Sequence, residues 1–177
     1  MEKSKSPWSV PIVVEDIPDT GLHVETEPTA DIRIDIAKLA GLRELPRLSG
    51  TFDLTRRGAG VRVVGDVNAR VGQTCVVTLD PIENDVSEHI DLVFAPAREE
   101  GVGGKPLAGG AEGNEESPEL LVDGRLDLGA IATEFLLLGI DPYPRKAGAE
   151  FNTTATGDPS AKPFAALESL KKRMGGG

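Results

Sequence analysis

A lone cysteine and a formal net charge of −10 in a chain of 177 residues exclude several classes of protein at once. Cys75 cannot close an internal disulfide or build a cysteine-only zinc site. The acid excess argues against non-specific binding to nucleic acid or anionic lipid, and no run approaches the ~18 apolar residues of a membrane span. At 39% apolar residues, with Gly 21 and Pro 13, the composition predicts a single turn-rich domain with a core of its own. The opening MEKSKSPWSV has lysines but no apolar h-region; with the lone thiol, this points to the cytoplasm.

Residues 8–14 (WSVPIVV) predict a first strand, at an edge because Pro11 cannot donate to a ladder. After turn chemistry at 16–21, residues 22–26 predict a second strand. Ile32, Ile36 and Leu39 recur at helical spacing, so 29–41 predicts a helix, with Thr29 or Asp31 as cap and Gly41 as its end.

The strongest pattern lies at 47–72. Phe52 and Leu54 alternate with polar residues, Arg57-Gly58-Ala59-Gly60 supplies a turn, and Val61, Val63, Val67, Ala69 and Val71 share one face. Arg62, Asp66, Asn68 and Arg70 take the other, and Gly65 predicts a bulge. A strand is expected at 73–79. A long one follows at 82–95, where Ile82, Val86, Ile90, Leu92 and Phe94 alternate. The predicted core is therefore an antiparallel β-meander in an α+β fold, open or closed into a barrel or half-barrel.

Residues 96–119, Gly-rich and acidic without periodicity, predict a disordered loop. Asp123-Gly124 predicts a turn. Asp127 predicts the cap of a helix running to Gly139, with Leu128, Ile131, Phe135 and Leu138 on one stripe, as the most buried element. The domain is set at 1–145. A flexible tail, 146–177, carries a short amphipathic helix at 163–173, with Phe164, Leu167 and Leu170 opposite its lysines.

Little in this chain points to catalysis. There is no Walker loop, dinucleotide fingerprint, GxSxG or HExxH. His23 and His89 sit apart in predicted strands, and Cys75 reads as a buried structural thiol. No catalytic, cofactor or metal residue is assigned, and the chain is expected not to be an enzyme. Charge is segregated instead: residues 41–75 net +3, 160–177 net +3, 1–40 net −4 and 97–124 net −5. Arg56, Arg57, Arg62 and Arg70 of the hairpin, with Lys171, Lys172 and Arg173 of the tail, are the candidate contacts to an RNA phosphate backbone.

Four segments in order, WSVPIVV at 8–14, RVGQTCVVTLDPIEN at 70–84, VDGRLDLGAIATEFLLLGIDPYPRK at 122–146 and PFAALESLK at 163–171, resemble the YceD family of large ribosomal RNA subunit accumulation proteins, in its alphaproteobacterial type. The resemblance implies a ribosome-biogenesis factor supporting accumulation of large-subunit (23S) ribosomal RNA. Many members carry two cysteine pairs that look like a zinc site. Here Cys75 matches the first cysteine, Thr78 replaces the second, and 141–151 has none. The resemblance therefore carries no metal over, and that corner is expected to be held by packing and hydrogen bonding. The expected partner is ribosomal RNA or a pre-ribosomal particle, with no membrane. The alternative is a protein-binding module whose acidic segments hold a basic ribosomal protein before assembly.

Overall fold

A computed structural model describes residues 6–96 and 118–150. The predicted acidic loop, apart from its outermost residues, and the predicted tail helix lie outside the described residues.

The centre is an open five-stranded sheet in the order β2-β3-β4-β5-β6. Its strands are β2 (Leu22–Thr26), β3 (Glu44–Arg57), β4 (Gly60–Thr74), β5 (Pro81–Pro96) and β6 (Glu119–Leu121). Strands β2 to β5 are antiparallel neighbours, as the meander requires, whereas β6 runs parallel to the end of β5. β2 and β6 are the edges, so the sheet does not close into a barrel. A separate two-stranded ribbon pairs β1 (Pro11–Val13) with β7 (Arg125–Asp127), which keeps Pro11 on an edge.

Period-two alternation sends every second side chain of the long strands to one side. Leu48, Phe52, Leu54, Val61, Val63, Val67, Ala69, Val71, Val86, Ile90 and Phe94 are buried there. Two helices cover them: α1 (Ala30–Leu39) against β3, and α2 (Leu128–Gly139) against β4 and β5. Trp8, Val14 and Ile17 complete the core from the N-terminal segment. The opposite face of β2–β5 bears alternating polar side chains and, among the described residues, no helix, the usual division of a one-sided antiparallel sheet.

Several local expectations are corrected. Gly65 is no bulge: it pairs in register with Phe52 and Ile90, and the irregularity falls between Glu44 and Arg47. A glycine is needed at 65 because a Cβ would run into the Thr51 carbonyl and the Phe52 ring. The strand expected at 73–79 ends at Thr74, and Cys75–Asp80 forms a turn. Val76 and Val77 are β-formers by type, but the Val76 amide is claimed by the distant Pro144 carbonyl.

Helix faces also differ from their stripes. In α1, Ile36 and Ala37 are buried while Leu39 is 55% exposed. In α2, Leu128 and Ile131 of the expected stripe are buried, together with Gly129, Ala132, Thr133 and Leu136. Leu138 is 73% exposed, so α2 is not buried all round. Periodicity finds a helix, but here a nearly all-apolar α2 offers more than one stripe and the neighbours select which is used.

Asp127 acts as expected and more. Its Oδ1 accepts hydrogen bonds from Gly129 N at 3.0 Å and Ala130 N at 3.2 Å, capping α2. The same oxygen accepts from Val10 N at 2.7 Å, tying the N-terminal segment to the helix start. Asp123 (φ 52°) and Gly124 (φ 65°) make the expected turn that feeds β7.

Candidate functional site

Strand register determines what the uncovered face of the sheet presents. One row across it runs His23, Asp53, Val64, Asp91, and the next runs Glu25, Thr51, Asp66, His89. The centre of the face is thus built from the carboxylates Glu25, Asp53, Asp66 and Asp91 and the imidazoles His23 and His89. His23 lies between two of these acids, with Nδ1 2.7 Å from Asp53 Oδ1 and Nε2 3.4 Å from Glu25 Oε1. Those bonds, the Asp53 one first, raise the His23 pKa above its ordinary value. His89 Nδ1 is 3.0 Å from Asp66 Oδ1. These cross-strand clusters were not singled out from the sequence. Alternation gives the face, but only the hairpin registers bring β2 beside β3 and β4 beside β5 in these rows.

The candidate RNA-contacting arginines do not form one patch. Arg62 makes a two-pronged contact with Asp91, at 2.8 Å from Nε and 2.6 Å from Nη2. That pairing raises the Arg62 pKa and lowers that of Asp91. Arg70 lies eight residues along β4, roughly 26 Å away at a strand's rise. It donates to Glu83 at 2.7 Å and lies 3.8 Å from Asp85. Arg56 and Arg57 are exposed at the hairpin end, with no ion pair among the described residues. Lys171, Lys172 and Arg173 lie outside the described residues. Arg47 stands opposite Arg70 on the outer face. Even counting it and Arg57, Glu25, Asp53, Asp66, Glu83, Asp85 and Asp91 outnumber the arginines Arg47, Arg57, Arg62 and Arg70 there.

At the far end of β4 the chain turns at Cys75. The thiol is fully buried, and its Sγ accepts from Thr78 N at 3.4 Å and Lys146 N at 3.3 Å. The Lys146 amide, then the Thr78 hydroxyl and amide, hold the Cys75 pKa down to about 6 against the opposing effect of burial. The thiol is buried, as the sequence predicts, and its hydrogen bonds tie the turn to Lys146. Val76 N donates to the Pro144 carbonyl at 2.9 Å, and Gln73 Nε2 donates to the Asp141 carbonyl at 2.8 Å. Lys146 Nζ reaches Asp80 at 3.0 Å, which with Thr78 lowers the Asp80 pKa. Among the described residues no three His, Cys, Asp or Glu side chains converge as a metal site requires. Neither histidine lines the concavity between α1 and the start of β3 or that between α1 and α2.

The sequence profile described as "Large ribosomal RNA subunit accumulation protein YceD" matches residues 63–171, more than half of the chain. The chain belongs to the YceD family. Its role accordingly lies in ribosome biogenesis, with the RNA of the large subunit. No curated protein and no solved structure matches the chain. The YceD match takes in β4 from Val63 onward, β5, α2 and the Cys75 corner. That corner ties Cys75, Val76 and Asp80 to Pro144 and Lys146 by an amide–sulfur bond, a backbone bond and an ion pair. Among the described residues no helix is long and apolar enough to cross a membrane.

Proposed function

We propose that this YceD protein supports accumulation of 23S ribosomal RNA in the cytoplasm, without catalysis, by holding a basic ribosomal protein against the open face of its sheet. The observation that carries this reading is the charge at the centre of that face. Glu25, Asp53, Asp66 and Asp91 meet one guanidinium, Arg62, held by Asp91, and two imidazoles, His23 on Asp53 and Glu25 and His89 on Asp66. A lysine- and arginine-rich partner gains from such a surface chiefly in encounter rate and in selection against acidic competitors. An RNA backbone meets net repulsion there, and two of its expected contacts, Arg62 and Arg70, are occupied by acids.

Direct RNA contact retains Arg56 and Arg57 at the hairpin end. Co-purification of the full chain from cells, with and without nuclease, separates the two readings. Retention of a basic ribosomal protein after nuclease treatment, weakened by Asp53→Asn with Asp66→Asn and by added salt, is the expected result. Loss of every ribosomal component on nuclease treatment, with retention insensitive to those substitutions, overturns it in favour of RNA.

A further inference from the structure

Between α1 and α2 runs a groove of about 690 Å³ lined by Pro7, Leu39, Ala130, Thr133, Leu137 and Leu138, with Asp35 and Glu134 beside them. Leu39 and Leu138 are more than half exposed and Leu137 is 39% exposed, so large apolar side chains from both helices face water at one place. Isolated exposed leucines need no explanation, whereas an adjoining set with an acidic margin marks a docking surface. It lies on the helical layer and is independent of whichever partner the sheet face meets.

We infer that the groove is covered by the chain's own C-terminal stretch 163–173. In PFAALESLKKR the residues Phe164, Leu167 and Leu170 recur at i, i+3 and i+6, which on a helix spans about 9 Å along one side. Lys171, Lys172 and Arg173 follow directly, giving the stretch the sign opposite to Glu134 and to Asp35, whose charge is shared with Lys38 at 2.9 Å. Residues 151–162 span up to about 40 Å when extended, while α2 is about 18 Å long. The family match runs on to residue 171, so the stretch belongs to the YceD unit and is not an unrelated appendage. Docking there covers Leu39, Leu137 and Leu138 with apolar side chains and brings the cations toward the acids of the margin.

Hydrogen exchange on the full chain tests this, with Leu39→Glu and Leu138→Glu in the groove and Leu167→Glu in the stretch. The first two sites are exposed, and the third lies outside the described fold. The expected result is that amides 164–173 exchange at least about tenfold faster in each variant than in the parent. Amides of β4 and β5 should be unchanged throughout. Equal exchange of 164–173 in parent and Leu167→Glu overturns the proposal even if a groove variant fails to fold. A dimer in sedimentation equilibrium that Leu138→Glu dissociates, with 164–173 unprotected, overturns it in favour of a second copy.

Discussion

The two faces of the central sheet are written by the same strands, one residue out of step, yet they do different physical work. The inner face is fully buried around Phe52, Leu54, Val61, Val63, Val67 and Ile90, where burial of apolar area carries the stability. The outer face is a lattice of exposed charges whose pairs contribute little to folding, since exposed ion pairs are weakened by solvent and by the entropy of fixing both side chains. Substitution on the first face should therefore be read in stability, and on the second in partner binding and pH response. The comparison fails if an outer-face change unfolds the protein or an inner-face change does not.

The largest expected effect is on the inner face. Phe52→Ala empties the space beside Gly65 and should cost about 3–5 kcal/mol, seen as a lower urea midpoint at unchanged slope. Asp127→Ala comes next. It leaves three amides without their acceptor and should cost about 1–2 kcal/mol in the same measurement. If Asp127→Ala matched Phe52→Ala, the cap would be as important as the core.

On the outer face, Arg62→Ala with Asp91→Ala should shift the midpoint less than either change above while altering retention of a basic partner. A shift as large as that of Asp127→Ala would break the division between the faces.

Two pH responses sharpen it further. The Cys75 thiol titrates near 6 when folded and near 9 otherwise. Its contribution is therefore complete above about pH 9 and is lost as pH falls through about 6. Stability should rise with pH across that window, and Cys75→Ser should flatten the rise. Ultraviolet thiolate absorbance of the folded protein should show the same midpoint. His23 has the opposite sign. Its folded pKa is raised by Asp53, so its contribution is present below the unfolded value and is lost as pH rises through the folded one. This should be the smallest effect, read as an imidazole proton midpoint above the usual ~6.5 that falls back in Asp53→Asn.

The two faces were also unequally legible in the sequence. Alternation identified the buried valines, the 22–26 strand and the 82–95 strand, because a strand's period is imposed locally by backbone geometry. It likewise assigned Arg62 and Arg70 to the outer face, and the Asp127 cap was readable from one residue ahead of an apolar run. It did not reveal that Asp91 holds Arg62 or that Asp53 holds His23, since those meetings depend on register between strands. The Cys75 turn was hidden for a related reason. Val76 and Val77 have strand propensity, and the carbonyl and amide that bend the chain there belong to Pro144 and Lys146. In the helices, the composition of α2 announced burial without saying that Leu138 would face water.

The parallel pairing of β6 with β5 has one more consequence. Pro96 stands opposite Leu121 and Phe94 opposite Glu119, so the chain leaves the sheet and rejoins it at a single spot. Whatever lies between departs and returns through one doorway. Its length can thus change over evolution, or be lengthened by a grafted domain, at a cost growing only with the logarithm of the insert.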